Sequence, residues 1–523
     1  MRLSGRSFLK KTKEGTEKDP KKDTKKMVER SMHESMEKTI GKTTKNFVKN
    51  SAENSTKNSA ENCTNSLLCV ILVIAACLVH GVMQGVHDNY GIMMQGLVRT
   101  TEISYAYISF CIGVGALVYG IAQPFLGMLA LRKSNAFVIL MGIALTVAGL
   151  IITPLCRKPL SMLLFFGILL PLGTTGLCFG IVMGAITPFL TEKRAALVSG
   201  IVQASAGVGD ALMSPALQRM SDDFGIRIAM SVTALPFLIM IPIVLWMGRV
   251  NKARKAADEN GTGAAEEASS EKTDAITDEN SRIVPAKHAG KISNDRESRI
   301  SDEYLSENTG ENTGKNTSRI ADENTGGKLS LTAILRDAFR VRDYRLILIG
   351  FATCGFNMSI IESHLYSQYI SYGIDSSAAS LTLTVYGLAT MTGAVLSGYL
   401  GTKFRMKNVL GTLYAMRVVI SLSFLLVPKT AAFAFVAAAL LGMCGDATVP
   451  PTSGIISKRF GAEKMAVLYG FALIGHQVGA FLSSFLGGLF VKNGMGYEPL
   501  WVVNLCLAAI AAAASYRIRE EHK

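Results

Sequence analysis

The sequence lacks the residue patterns of most enzymes, metal centres and disulfide frameworks. Its nine cysteines are scattered along the chain, and no CxxC or Cys/His ligand spacing occurs. The nearest candidate for a phosphate-binding loop, Gly310 to Asn316, has the wrong glycine spacing and Asn where Ser or Thr must hold magnesium. No Gly-x-Ser-x-Gly or His-Glu-x-x-His sequence is present. We therefore expect no enzyme activity, no cofactor, no metal and no transport powered by ATP.

Acidic residues are also in short supply. The chain has 40 Asp and Glu against 54 Lys and Arg, which gives a formal net charge of +14. Much of this excess lies in the N-terminal tail and in short loops that would share one side of a membrane. Loops of this kind are typical of membrane proteins, so the lipid bilayer is the expected partner and nucleic acid is not.

Long apolar runs are what the chain has in abundance. Hydrophobic residues make up 49% of it, although about a third of the chain is polar tail and linker. A helix needs roughly 20 apolar residues to cross the hydrocarbon of a bilayer. Such runs lie near residues 67–90, 103–130, 135–154, 161–190, 195–219 and 228–248, and again near 345–370, 378–401, 408–428, 431–456, 463–491 and 500–516. The sequence predicts an all-α integral membrane protein with twelve transmembrane helices in two six-helix bundles.

The apolar runs divide the chain into five segments. Residues 66–248 and 343–516 are the predicted bundles, and residues 249–342 are a hydrophilic cytoplasmic linker between them. Residues 1–65 form a basic cytoplasmic tail, and residues 517–523 form a second, short one. The long tail and the linker are polar and of low complexity, which predicts disorder.

The linker ends in a stripe of apolar residues flanked by arginines. The stripe consists of Leu331, Ile334, Leu335, Ala338 and Phe339, and the arginines are Arg336, Arg340 and Arg342. This spacing predicts a short amphipathic helix that lies on the membrane surface.

Basic residues predict the orientation in the membrane. If the helices alternate in direction, the basic loops near Arg132, Lys193, Lys403, Lys458 and Arg517 fall on the same side as the tails and the linker. The loops on the opposite side carry fewer basic residues. The positive-inside rule then predicts a protein of the cell (inner) membrane with both termini in the cytoplasm.

The two halves of the chain resemble each other. The loop after the second helix, Gly127 to Lys133, recurs after the eighth as Gly398 to Arg405. Lys193-Arg194 likewise has a counterpart in Lys458-Arg459, each pair being followed by glycines. Parallel six-helix halves are the layout of the major facilitator superfamily, which the sequence resembles over nearly all its membrane-embedded length. The resemblance implies pseudo-symmetric bundles and alternating access, and we expect a monomer.

Five stretches narrow this resemblance: Val118 to Gly127, Arg194 to Gln203, Cys354 to Leu365, Tyr414 to Arg417 and Gly475 to Phe481. They are similar to bacterial carriers related to monocarboxylate porters and oxalate/formate antiporters. One departure concerns the loop after the second and eighth helices, where the family has an acidic residue and this chain has Leu131 and Thr402. In the family, charged groups at this loop hold the inward side closed. We therefore expect this closure to use other groups here or to be weaker.

Ionisable side chains at membrane depth are the functional candidates, because each is costly unless it faces the bundle interior or a partner. The resemblance places the helices that carry them around the transport cavity. It therefore implies contacts with substrate or protons for His80, Gln84, Asp210, Glu362, His364, His476 and Gln477. His87 and Asp88 lie near the predicted outer end of the first helix and are interpreted as solvated. The glycine pairs Gly81/Gly85 and Gly475/Gly479 are interpreted as sites of close helix packing.

Two pairings follow from these positions. Arg417 and Asp446 lie at similar depth on consecutive helices, which predicts a structural ion pair. His476 and Glu362 are predicted to form the proton and anion site, because an imidazole changes charge near neutral pH. We expect His80 and Asp210 to contribute from the facing half. The alternative is that His476 only donates a hydrogen bond to a carbonyl group of a neighbouring helix.

The resulting hypothesis is a secondary transporter that moves a small organic anion, a monocarboxylate or related metabolite, with protons or by anion exchange. Two alternatives stay open. One is a multidrug or neutral-metabolite exporter of the same superfamily. The other is a transport-dead membrane receptor or regulator whose tails do the signalling.

Overall fold

The structure is a computed structural model that describes residues 68–190, 192–253 and 331–520. The predicted N-terminal tail and nearly all of the predicted linker lie outside these residues. The described residues from 72 onward form one compact unit. Residues 68–71 begin the first helix. Within the described residues every regular element is a helix.

The first half contains six long helices. Helix α1 comprises Leu68–His87 and, after a break at residues 88 and 89, Tyr90–Thr101. The others are α2 (Tyr105–Arg132), α3 (Asn135–Leu155), α4 (Pro159–Phe189), α5 (Glu192–Phe224) and α6 (Ile226–Ala253).

The second half repeats this arrangement. Its helices are α7 (Arg342–Ser371), α8 (Ser376–Lys403), α9 (Met406–Leu426), α10 (Ala431–Phe460), α11 (Ala462–Lys492) and α12 (Glu498–Tyr516). Eleven helices of the described chain are long and apolar enough to cross a membrane. The twelfth, α5, has 33 residues and therefore also has the length to cross. The predicted fold class is confirmed.

The helices that lose regular α geometry at membrane depth include α1, α4, α7 and α10. Helix α7 contains the π-helical segment Ile360–Leu365, and α10 is interrupted at Gly445 by the 3₁₀ turn Asp446–Thr448. Helix α4 contains a second π-helical segment, Leu163–Leu169. Breaks of this kind free backbone groups and change the direction of side chains. Three of the four breaks carry an acidic residue, which brings negative charge to the centre of the fold.

The two halves pack through α2 against α11 and through α5 against α8. Small residues permit this approach, because a side chain at Gly113 would meet Phe481 and one at Gly207 would meet the carbonyl oxygen of Gly387. We call the side of the molecule that carries Ala253 and Arg342 the linker face, and the opposite side the far face.

The halves are in contact near the far face and separate toward the linker face. The hydrogen bonds that join them include Thr384 Oγ1 to Ala211 O (3.0 Å) and Ser376 Oγ to Asp222 Oδ2 (2.8 Å), at mid-depth and at the far face. Nearer the linker face, glycines of the same four helices have no neighbouring atom within 4 Å of the position that a β-carbon would take. These glycines are Gly127, Gly200, Gly398 and Gly470. At these four positions the helices make no close contact with a neighbouring helix.

The end of the predicted linker forms the helix Leu331–Arg340, as expected from its apolar stripe. Ala338 of this helix is buried, and Phe339 makes edge-to-face contacts with Tyr344 of α7 and Phe471 of α11. The helix therefore packs on the second half at the linker face.

Acidic residues other than those of the family signature hold the linker face of the second half. Leu131 is 87% exposed, and the Thr402 hydroxyl donates only to the nearby Tyr399 carbonyl, at 2.7 Å. Asp343 instead pairs with Arg459 at 3.4 Å, and Glu520 pairs with Lys458 at 3.4 Å. These pairs join the end of α10 to the start of α7 and to the C-terminal segment.

Two glycines of α11 provide a direct test of the packing between α7 and α11. A β-carbon on Gly479 would collide with the carbonyl oxygen of Ala352, whereas one on Gly475 would have no neighbour within 4 Å. We expect Gly479→Ala to destabilise the protein by roughly 1–3 kcal/mol because it overpacks the crossing. Gly475→Ala is the matched control and should be neutral, or stabilising by up to about 1 kcal/mol through helix propensity. Thermal unfolding of the purified variants measures both, and equal melting temperatures would contradict the close crossing.

Candidate functional site

The break in α1 places His87 and Asp88 in the centre of the membrane domain, which corrects the interpretation of these residues as solvated. Helix α1 does not end near residue 90 but resumes at Tyr90 and continues to Thr101. The side chains of His87 and Asp88 are only 14% and 13% exposed. They lie within α1 and not at its end, because 20 helical residues precede the break and 12 follow it.

His87, Asp88 and Glu362 form a cluster between the two halves. One ligand atom from each lies within 4.8 Å of the other two. His87 Nδ1 lies 3.3 Å from Asp88 Oδ1, and Gln84 Nε2 donates to the same oxygen at 2.6 Å. Glu362 comes from the π-helical segment of α7, which contacts α1, and a side chain at Gly91 would lie 3.1 Å from the Glu362 carbonyl oxygen. The structure thus brings the predicted Glu362 and Gln84 together with two residues that were not predicted.

A second polar group anchors the break in α1. Asn89 Nδ2 donates to Gly85 O at 2.7 Å and to Asp210 Oδ1 at 2.9 Å. Asp210 also accepts from Ser214 Oγ at 3.2 Å, while its Oδ2 is buried without a hydrogen-bond partner among the described residues. Asp210 therefore supports the break from α5 and does not join the predicted site of His476 and Glu362.

His364 belongs to the contacts that close the far face. Its Nδ1 lies 2.8 Å from Tyr105 Oη, its Nε2 lies 3.1 Å from the Ser484 carbonyl oxygen, and Tyr497 Oη lies 3.1 Å from Tyr105 Oη. Tyr105 comes from the first half and the other residues come from the second. The network links the halves at the far face, which is where the structure places His364.

His476 and Gln477 lie on α11, where the structure gives them different surroundings. The His476 ring lies 5.0 Å from the Phe351 ring, and its Nδ1 is buried without a partner in the described structure. Gln477 is 7% exposed and packs at the crossing with α2, where a side chain at Gly120 would meet it. Gln477 is therefore an interface residue in this state.

His80 is buried in the first half, away from the cluster. It is 2% exposed, and its ring lies edge-on to Phe179 of α4 at 5.8 Å. Neither ring nitrogen has a hydrogen-bond partner within the part of the chain that is described. On the same helix, a side chain at Gly81 would meet the carbonyl oxygen of Ser205, and one at Gly85 would meet that of Gly209. This agrees with the interpretation of both residues as packing glycines.

The expected ion pair between Arg417 and Asp446 does not form, because the α10 backbone takes the place of the carboxylate. Arg417 Nη2 donates to the carbonyl oxygens of Cys444 (2.6 Å) and Gly445 (3.0 Å). Among the described residues, the ion pairs do not include Arg417 with Asp446. Asp446 Oδ2 instead lies 3.5 Å from Gln203 Nε2 of the first half. Arg417 therefore caps the first segment of α10, and Asp446 is directed toward the space between the halves.

The arrangement concentrates acidic groups at mid-depth. Asp88, Glu362 and Asp446 each sit at a helix break, and His87 is the only imidazole in the cluster of His87, Asp88 and Glu362. Buried carboxylates that lack a cation are costly, so this site favours bound protons or a bound cation. One imidazole nitrogen and two carboxylate oxygens could also hold a metal ion, although no spacing in the sequence indicates one.

Comparison with known proteins places the chain in a family. A family model for the Major Facilitator Superfamily matches residues 72–371 and 347–523. Together with the long apolar helices, this match shows a multi-pass membrane protein. The chain belongs to the major facilitator superfamily.

Two curated relatives match about a third of the chain. It is 27% identical over 176 residues to an uncharacterized MFS-type transporter, YcxA, of Bacillus subtilis (strain 168), a match that covers 32% of this chain and 42% of that protein. It is 26% identical over 172 residues to monocarboxylate transporter 11 of Mus musculus, covering 33% of this chain and 38% of that protein. The matched region spans less than half of either relative.

Solved structures share the fold at low sequence identity. The nucleoside transporter NupG aligns with a TM-score of 0.59 and 12% identity over 86% of this chain and 98% of that one. A D-xylose-proton symporter aligns with a TM-score of 0.58 and 11% identity over 87% and 98% of the two chains. A bacterial homolog to the human lysosomal transporter Spinster, in an inward-facing and unoccupied conformation, gives 0.56 and 16% over 86% and 96%. At these identities the likeness shows the fold alone.

Proposed function

We propose that the protein is a proton-coupled carrier of a small organic solute, and that His87, Asp88 and Glu362 form its proton site. The observation that supports this is the central cluster, where two carboxylates and an imidazole lie within 4.8 Å of one another between the halves. A proton bound there neutralises charge that would otherwise be costly at membrane depth. Because one half supplies His87 and Asp88 and the other supplies Glu362, a change in protonation acts on both halves.

For the substrate we propose a monocarboxylate-like anion. The partial similarity to a monocarboxylate transporter supports this class. Carboxylates in a cavity repel an anion unless bound protons neutralise the negative charge. Symport of the anion with protons therefore fits the site better than anion exchange. His476, on the cavity helix α11, is the proposed anion contact, and His87 supplies a second imidazole.

A neutral metabolite is the second candidate. It is favoured by the acidic groups at mid-depth, where Asp88, Glu362 and Asp446 lie at helix breaks while the buried cation Arg417 donates from Nη2 to two backbone carbonyls. A neutral substrate needs no cationic partner, and carboxylates are good acceptors for its hydroxyl groups.

Uptake into proteoliposomes tests these proposals. Labelled lactate, pyruvate, uridine and xylose are offered with and without an inward proton gradient. Gradient-driven uptake of lactate or pyruvate supports the anion carrier, and gradient-driven uptake of uridine or xylose supports the neutral carrier. Uptake at the same rate with and without the gradient would contradict proton coupling. No uptake of any solute would favour a transport-dead regulator.

We also propose that the linker face is cytoplasmic, in the cell (inner) membrane, and that the linker is dispensable for folding. The basic loops of the sequence support this orientation. Reporter fusions at residue 310 should report a cytoplasmic position, and deletion of residues 262–325 should leave membrane insertion intact. A reporter active outside the cell would refute the orientation.

The proposed anion contact His476 can also be tested for a part in proton coupling, because an imidazole can carry a proton that it gains and loses. If His476 changes protonation during transport, His476→Gln should keep substrate counterflow, which needs no net proton movement, and lose pH-driven accumulation. His476→Ala, which also removes the hydrogen-bonding group, should reduce both. A Gln variant that accumulates substrate like the parent would leave His476 with a structural role only.

A further inference from the structure

A cavity of about 380 Å³ lies at the far face, apart from the central cluster. Its lining includes Ile92, Gln95 and Arg99 of α1, all beyond the break that carries Asp88. The volume falls within the range of roughly 300–1,000 Å³ that is typical of small-molecule sites. The cavity is thus large enough for a solute of a few heavy atoms.

Both halves of the protein form the walls of this cavity. Helices α1 and α5 contribute Arg99 and Asp222, while α7 and α8 contribute Tyr366 and Ser376. Ser376 Oγ donates to Asp222 Oδ2 at 2.8 Å, which ties the two halves together at the rim. The cavity therefore keeps its shape only while the far face is closed.

The lining of the cavity combines charged, amide and apolar side chains. Ile92, Ile226 and Ile374 are buried beneath the cavity, and Gln218 is 4% exposed beside them. Arg99 is exposed and takes part in none of the ion pairs formed within the described residues. Asp222 provides the opposite charge. The cavity thus offers one cation, amide groups and one carboxylate to a solute.

We propose that this cavity is a second, outer binding site for a small carboxylate that also carries a hydroxyl or amino group. The guanidinium of Arg99 binds the carboxylate, since paired N–H donors match its two oxygens. The amides of Gln95 and Gln218 bind the remaining acceptors, and Asp222 accepts from the hydroxyl or amino group.

Because both halves of the protein line the cavity, occupancy of this site should affect transport. The polar contacts named above come from α1 and α5, but Tyr366 and Ser376 of the second half complete the wall of the cavity. A solute therefore binds the far-closed state better than the far-open one, because opening removes that part of the wall. A ligand shifts a conformational equilibrium by its difference in affinity for the two states. Occupancy from the far face therefore holds the carrier closed at that face and slows uptake.

Binding to the purified full-length chain tests the site, with L-lactate, L-alanine and pyruvate as probes. Pyruvate has no donor group and should bind more weakly than the other two. Arg99→Gln should weaken L-lactate and L-alanine binding about tenfold or more, since it removes the charge-assisted bonds. Arg227→Gln is the matched control, because Arg227 is also an exposed arginine at the far face but does not line the cavity.

A second pair of variants tests the dependence on closure. Gly387→Val places a side chain against the Gly207 carbonyl oxygen and should keep the far face open, whereas Gly398 has no neighbour within 4 Å. Gly387→Val should therefore abolish Arg99-dependent binding without touching the cavity lining, and Gly398→Val should retain it. Failure of all three probes to show Arg99-dependent binding would overturn the site. Arg99-dependent binding in a protein without proton-driven uptake would instead refute only the proposed transport function.

Discussion

Replacement of Glu362 by Gln is expected to abolish pH-driven accumulation of substrate while substrate counterflow persists. Gln keeps the size and hydrogen-bonding capacity of the side chain and mimics its protonated form, but it cannot release a proton. A gradient of about one pH unit supplies roughly 1.4 kcal/mol per proton, which supports about tenfold accumulation when one proton accompanies each solute. The Gln variant should accumulate substrate to a ratio of about one.

Asp88→Asn should have the same effect, because Asp88 and Glu362 share one cluster with His87. Residues that act as one unit give non-additive effects. The double variant Asp88→Asn/Glu362→Gln should therefore be no worse than either single variant in counterflow or accumulation. This result would distinguish a shared proton site from two independent ones.

Glu498→Gln is the matched control for these variants, since Glu498 is an exposed glutamate at the start of α12. It should accumulate substrate like the parent. If Glu362→Gln does so too, while Asp446→Asn does not, the proton site lies at the break in α10 and not at the cluster. Proteoliposomes loaded with unlabelled substrate give counterflow and accumulation from the same preparation.

The helices were predictable from sequence because the backbone can satisfy its hydrogen bonds in lipid in only a few ways. Uninterrupted apolar runs of membrane length must form helices, since each backbone group has to be satisfied within the segment. The same logic failed at the end of α1, where His87, Asp88 and Asn89 suggest a polar helix end. The mostly apolar stretch from Gly91 to Val98, interrupted by Gln95 and followed closely by the start of α2, was the signal for a longer helix.

Which ionisable groups meet was much less predictable. Contacts between helices depend on their rotation and on breaks, neither of which a helical face in the sequence determines. His80 and Gln84 share a face of α1, yet Gln84 bonds Asp88 while His80 packs on Phe179. Asn89 explains the break itself, because its amide satisfies the Gly85 carbonyl and reaches Asp210 on α5. Asp210 is 121 residues from Asn89 along the chain, so the local sequence pattern around Asn89 cannot predict this contact.

Arg417→Ala is expected to cost the largest amount of stability among the substitutions considered. Arg417 is fully buried, and its Nη2 satisfies two carbonyl oxygens at the end of the first segment of α10. Ala would remove the Arg417 donor from both acceptors, leaving Gly445 O with the longer bond from Thr448 Oγ1 (3.4 Å), and would open a cavity beside Tyr414, whose ring lies 5.4 Å from the guanidinium carbon. Unsatisfied buried groups cost roughly 1–3 kcal/mol each. We therefore expect a loss of roughly 3 kcal/mol or more, visible as a lower melting temperature and a lower yield of monodisperse protein.

The order of further variants at this position distinguishes capping from ion pairing. Arg417→Lys keeps one donor and should retain more stability than Arg417→Met, which keeps only the volume. Asp446→Asn should fold like the parent, because Arg417 does not bond the Asp446 carboxylate in this structure. The charge-swapped variant Arg417→Asp/Asp446→Arg should then be at least as unstable as Arg417→Asp alone, since an arginine at 446 cannot reach back to cap its own helix segment. Recovery of stability in the swapped variant would show that the two side chains pair directly, and it would return Asp446 to a structural role.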